Sequence, residues 1–99
     1  MKKIFISQPM RGKTVEEIEN ERTAALIIAE SILGEKVEEV KSFFKGADKE
    51  SPLYMLGESI KDMSKADVVY FVHGWQEARG CRIEHECAIE YGLYILKER

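Results

Sequence analysis

Asp67-Val68-Val69-Tyr70-Phe71-Val72-His73-Gly74-Trp75 is the stretch that decides the fold. After its first residue it stays apolar through Val72, with no polar residue at alternate positions. A strand with one wet face alternates, whereas a strand covered on both faces reads as an unbroken apolar run. The stretch therefore predicts a strand at the centre of a parallel sheet, with helices over both faces. His73-Gly74-Trp75 leaves that strand as a loop.

Working outward, Pro52 to Lys65 predicts a helix with Leu53, Leu56, Ile60 and Met63 on one face. On the other side, Gly80 precedes a helix that runs to about Tyr91. Gly92 caps it, and Tyr94-Ile95-Leu96 supplies a last short strand. At the start of the chain, Lys3-Ile4-Phe5-Ile6-Ser7 is a short strand stopped by Pro9 and Gly12. Thr14-Val15-Glu16-Glu17 has the T-x-x-E form of a capping box. Val15, Ile18, Arg22, Ala25, Ala29 and Ile32 follow at helical spacing, and Gly34 ends the run. A weakly patterned second strand is expected within Lys36 to Phe44, and Gly46 to Ser51 reads as a polar loop.

Strands and helices thus alternate from end to end. The expected class is α/β: residues 1–99 as one domain, a doubly wound, flavodoxin-like parallel sheet of four to five strands with helices on both faces. The first and third strands should be adjacent and central. Ligands of such sheets bind outside the carboxyl ends of the strands. That rule selects two loops, Ser7 to Lys13 and His73 to Gly80. It sets aside Asp67, at the amino end of its strand.

Composition narrows the partners. The chain has 99 residues, 44% hydrophobic and 33% charged, an ordinary globular balance for one small domain. Its net charge of −3 leaves no basic footprint for polymeric nucleic acid and suits an anionic membrane poorly. Lys2 and Lys3 precede too short an apolar run for a signal peptide, so a cytoplasmic location is expected. Cys81 and Cys87, six apart in a predicted helix, match no zinc spacing and read as reduced thiols. No metal and no cofactor is expected. A homodimer or higher homo-oligomer is expected, because so small a chain carries Trp75 and Tyr94 as surplus aromatics.

One charge stands on the wrong face. At roughly 100° per residue, Ile83, Cys87, Gly80, Tyr91, Ala88 and Cys81 of the last helix fall within one arc of about 160°. Arg82, His85, Glu86 and Glu90 fall opposite, with Ile89 the apolar exception. Glu84 lies inside the apolar arc, between Tyr91 and Ala88. A carboxylate facing a core is costly unless it is hydrogen-bonded, paired or set in a solvated pocket. Glu84 is also one turn from Gly80, where a pocket is expected. The residues alone leave two alternatives: a site residue, or a glutamate that reaches solvent or accepts a structural hydrogen bond.

Gly80-Cys81-Arg82-Ile83-Glu84, followed by Ala88 and Gly92, resembles the G-x-x-x-E-x-x-x-A-x-x-x-G segment of nucleoside 2-deoxyribosyltransferases and related nucleotide N-glycosidases. Ser7-Gln8-Pro9-Met10-Arg11-Gly12 is similar to their N-terminal sugar-binding loop, and Ala66-Asp67-Val68-Val69 to the segment opening their third strand. The pattern is most similar to a small phage and bacterial branch, DUF4406-like, with S-x-P-M-x-G near its start and E-H in its last helix. The likeness spans Ile4 to Leu96. It implies that Glu84 is a nucleophile toward C1′ of a nucleoside or nucleotide sugar, with a small-molecule substrate and a pocket completed across subunits. Taken with the two loops selected above, it gives Ser7, Pro9, Met10, Arg11, Gly12, His73, Gly74, Trp75 and Gly80 as the expected substrate-site residues.

The chain departs from that pattern at two positions. Ala78-Arg79-Gly80-Cys81 stands where the family carries D-S-G-T, and Ser59 stands where it carries an aspartate eight residues before the strand-opening Asp67. Substitutes can be named. His73 at the end of the third strand could act as an acid, Trp75 could stack on a base or pack at a subunit contact, and Arg11 could hold a phosphate. His85, on the polar arc, is expected in solvent. Two functions remain open: an N-glycoside-cleaving or deoxyribosyl-transferring enzyme, or a non-catalytic nucleotide-binding or sensing module of the same fold.

Overall fold

The computed structural model describes residues 1–41 and 51–99. The strands are β1 (Lys2–Ser7), β2 (Val37–Glu39), β3 (Val68–Phe71) and β4 (Tyr94–Lys97). The helices are α1 (Val15–Leu33), α2 (Pro52–Met63) and α3 (Arg79–Glu90), and a 3-10 turn lies at Trp75–Glu77. The four strands form one parallel sheet in the order β2-β1-β3-β4. Strands β1 and β3 are central, as the apolar run demands.

The two faces of the sheet follow from the period of two along each strand. Phe5, Val69 and Phe71 point to one side and pack with Met63, Cys81 and Ala88 of α2 and α3. Ile4, Ile6, Val68, Tyr70 and Val72 point to the other side and pack with Ala25 and Ala29 of α1. Every residue of β3 is buried. The register pairs Ile4 with Val68 and Ser7 with Phe71, so β1 and β3 end level with each other.

Helix α1 begins at the expected capping box. Thr14 Oγ1 accepts from the Glu17 amide at 3.1 Å, and the Glu17 carboxylate accepts from the Thr14 amide at 2.9 Å. Gly34 closes the helix with φ 72°, a left-handed conformation that costs glycine little. Its buried face is Ile18, Arg22, Ala25 and Ala29, while Val15 and Ile32 at its two ends are exposed. In α2, Leu53 lies in the first turn and is also exposed, so the inward face there is Leu56, Ile60 and Met63. The second strand falls inside the expected Lys36 to Phe44 but is only three residues long. Phe43, Phe44 and the loop expected from Gly46 lie outside the described residues. Among the described residues, no helix is long and apolar enough to cross a membrane.

The last helix differs from its wheel. Its buried residues are Cys81, Glu84 and Ala88, whereas Ile83 and Tyr91 are exposed. The burying arc is therefore narrower than the apolar arc. His85, expected in solvent, is half-buried. It stacks on Trp75 with ring centroids 4.4 Å apart and meets Phe71 edge-on at 5.0 Å. Burial there, helped by the charge of Lys97, holds its pKa below the usual imidazole value. An imidazole can cover apolar surface when its neutral form is favoured, and a polarity wheel cannot register that. Both cysteines are free, Cys81 buried and Cys87 half-buried. Burial pushes the Cys81 thiol up to about 11, which leaves it a poor nucleophile.

Candidate functional site

Sequential strands run outward from β1 in one direction and from β3 in the other, so the strand order reverses between them. In an open parallel sheet that reversal leaves a crevice at the carboxyl ends of the two strands. A cleft of about 380 Å³ opens there, within the size range of small-ligand sites. Ser7 and the loop Gln8–Arg11 form its floor and near wall. Ala78, Gly80, Cys81 and Glu84 come from α3 and its approach, Pro52, Met55, Leu56 and Ser59 from α2, and Arg22 from α1.

Glu84 is 6% exposed. Ser7 Oγ, at the last position of β1, donates to Glu84 Oε1 at 2.5 Å across 77 residues of chain. The nearby Ser59 hydroxyl also favours the charged form, and the Arg22 guanidinium adds a favourable field. Desolvation outweighs all three and pushes the Glu84 carboxyl up to about 6 from an ordinary 4.5. The result is a buried carboxyl that changes charge just below neutrality, facing a cavity.

The loop that carries Pro9 and Met10 is tied to α1. The Gln8 side-chain amide donates to the Ile18 carbonyl at 3.3 Å and to Glu21 Oε1 at 3.0 Å, and Lys13 Nζ pairs with Glu21 at 2.8 Å. A turn closed by the Lys13 amide on the Met10 carbonyl, at 3.1 Å, brings the chain back toward α1. Arg22 is held by Glu39 of β2 at 2.6 Å, both side chains largely buried.

Of the residues expected at the site, Ser7, Pro9, Met10, Arg11 and Gly80 line the cleft with Glu84. His73 and Gly74 do not. They line an adjoining groove together with Pro9, Met10, Arg11 and Gly80. Gly74 has φ 90°, and a Cβ there would touch Pro9 Cγ at 3.6 Å, so the two loops are in close contact. His73 Nδ1 meets the Arg99 carbonyl, and the His73 amide donates to Glu98 Oε1 at 2.9 Å. Trp75 stands apart in the core, 9% exposed, with its indole N–H donating to the Glu98 carbonyl at 3.3 Å. Gly12 lines neither cavity and serves the turn, with φ 79°.

Sequence reasoning missed Arg22, Met55, Leu56 and Cys81 as cleft residues. For Arg22 the signal was present: it is a charge at a core-facing position of α1, the same anomaly that singled out Glu84. For α2 there was none, because which helix roofs the crevice depends on packing. Ser59 and Ala78 also line the cleft.

The raised Glu84 pKa has a consequence for stability. A carboxyl with a higher pKa in the folded chain than in the unfolded chain binds more protons when folded. Its favourable contribution is complete below about pH 4.5 and is lost as pH rises through about 6. The loss amounts to about 2 kcal/mol. Glu84→Gln is therefore expected to be more stable than the parent by up to about 2 kcal/mol at pH 8, with the difference fading toward pH 4.5. Urea unfolding at the two pH values measures it; equal stabilities at pH 8 would mean that ionised Glu84 carries no such penalty.

No curated protein and no solved structure matches the chain. Residues 2–97 match a family described as a domain of unknown function (DUF4406), and with nearly its whole length inside that match the chain belongs to this family.

Proposed function

We propose that the protein cleaves or transfers the N-glycosidic bond of a nucleoside or nucleotide, with Glu84 as the nucleophile. The observation that carries this reading is a buried carboxyl, titrating near 6, that faces a small-ligand cleft at the reversal of strand order. Ionised Glu84 has the charge and position to attack C1′ of a bound sugar. A carboxylate oxygen forms an ester to C1′ as the C1′–N bond breaks, and the base leaves with that electron pair and takes up a proton. Water or a second base then attacks C1′ and releases the carboxylate. Ser7 orients Glu84, and the mostly apolar walls from Met55, Leu56 and Ile6 suit a flat base. The resemblance to nucleoside 2-deoxyribosyltransferases supports the same assignment.

The alternative, a nucleotide-binding module without turnover, is favoured by Ser59 and Ala78 standing in the cleft where those enzymes carry carboxylates. Incubation with a panel of deoxynucleosides and their phosphates, followed by detection of free base, separates the two. Free base from at least one of them is expected; tight binding with no base from any member of the panel would leave the binding module.

Assembly belongs to the same proposal. Ile27, Ile28 and Ile32 are exposed along the outer face of α1, an apolar surface suited to a second copy. Sedimentation is expected to show a dimer or larger species, and a lone 11.4 kDa species at micromolar concentration would remove it.

A further inference from the structure

The chain is acidic overall, yet five of its 15 Lys and Arg residues line one groove. The groove that adjoins the Glu84 cleft is lined by Arg11, Lys13, Arg79, Arg82 and Arg99, against Glu77 as its single acidic side chain among the described residues. Lys13 is engaged by Glu21. Arg82 is steadied by its bond to the Gln76 carbonyl at 2.9 Å, which leaves further N–H groups of its guanidinium to donate. Like charges gathered around a concave surface repel one another and are relieved by an anion. Arginine is the side chain best matched to phosphate oxygens, because its planar fork can donate two parallel hydrogen bonds. The first turn of α3 adds to the field: its N-cap, Ala78, has no side-chain cap, and no acidic residue lies in that turn.

The groove is continuous with the cleft. Pro9, Met10, Arg11, Ala78 and Gly80 line both, so one ligand can occupy the two together. The cleft is the smaller and mostly apolar, with Glu84 buried in it, and the groove is larger, at about 1050 Å³. On a nucleotide the 5′ carbon lies across the sugar ring from C1′ and its base. With C1′ at Glu84 and the base against α2, the 5′ substituent is directed toward Arg11 and out into the groove. A single phosphate carries at most two charges and is satisfied by two guanidinium groups, fewer than the groove offers.

We infer that the groove binds the phosphate chain of a nucleoside 5′-di- or triphosphate whose sugar lies in the Glu84 cleft. This rests on the nucleotide reading above and deepens it by naming the phosphorylation state. Arg11 stands at the junction, and Arg79 and Arg82 serve the outer phosphates.

Calorimetric titration of the full chain with a deoxynucleoside, its monophosphate, its triphosphate and inorganic triphosphate tests the inference, at low and at high salt. Affinity is expected to rise by about tenfold or more for each phosphate engaged by a guanidinium. The rise should shrink with added salt. Arg79→Gln combined with Arg82→Gln should erase most of the gain from monophosphate to triphosphate. Both side chains are exposed, and an unchanged melting temperature would show that the variant is folded. Equal affinity for nucleoside and triphosphate, or a double variant that binds triphosphate like the parent, overturns the inference. If free base still appears from unphosphorylated nucleosides in that case, the Glu84 reading stands and only the groove assignment falls. If inorganic triphosphate binds as tightly as the nucleotide and no base is released from any substrate, the nucleotide assignment and the proposed function fall together.

Discussion

Glu84→Gln is expected to reduce base release by about 10³-fold or more while ligand affinity changes only a few-fold. The amide keeps the shape of the side chain and can still accept the hydrogen bond from Ser7. It cannot supply the anionic oxygen that forms the ester, nor balance the positive charge that develops at C1′. The loss should appear in kcat rather than KM, because the missing interaction is made as the bond breaks. In the parent the rate should also fall as pH drops through about 6, where Glu84 takes up its proton. A 2′-fluoro nucleoside gives an independent check. Fluorine destabilises the cationic transition state and slows release, so a sugar ester should accumulate on the intact chain and map to Glu84. Base release from Glu84→Gln at near-parental rate would show that another group is the nucleophile.

Arg22→Met should produce the largest loss of stability, about 3 kcal/mol, and should also move the pH profile. Arg22 and Glu39 pair at 2.6 Å with side-chain exposures of 8% and 17%. Deleting the cation strands a largely buried carboxylate, and that uncompensated charge accounts for most of the cost. Arg22 also helps to hold Glu84 ionised against the pull of desolvation. Without it the Glu84 carboxyl should rise above its value of about 6, and the acid limb of kcat/KM should shift to higher pH. Glu39→Gln is the companion variant. It breaks the same ion pair but leaves the Arg22 charge beside the cleft, so stability should fall with no alkaline shift of the limb. Denaturant midpoints and pH–rate profiles of the two variants separate the effects. An acid limb unmoved in Arg22→Met would show that the field of Arg22 does not reach Glu84.

Much of this chain is legible from local pattern alone. The run Val68 to Val72 places β3 at the centre, because only a strand covered on both faces can afford no polar residue. Thr14 and Gly34 bracket α1, since caps act within a few residues of themselves. The anomaly of Glu84 is likewise local: a carboxylate among Cys81 and Ala88 at helical spacing is visible without any tertiary information. The rule for open parallel sheets then points to the loops after β1 and β3 as the place where such a carboxylate could be used.

Tertiary structure decided the rest, and the reason in each case is contact between residues distant in sequence. Ser7 and Glu84 meet across 77 positions, so their hydrogen bond has no local signature. The roof of the cleft by Met55, Leu56 and Ser59 depends on where α2 crosses the sheet, which its own periodicity does not specify. Trp75 enters the core and His85 packs half-buried against it, because each finds the other and Phe71 as an aromatic neighbour, although their sequence positions pointed to loop and solvent. Ile83 and Tyr91 stay exposed because the sheet buries a narrower stripe of α3 than the helix makes apolar. The cations of the groove come from the loop after β1, from α3 and from the end of the chain, and only the parallel closure of β1 beside β3 brings them around one cavity. Sequence periodicity thus determined which segments are strands, which are helices and which carboxylate is out of place. The environment that pushes its pKa up, and the charged groove beside it, exist only once the sheet has closed.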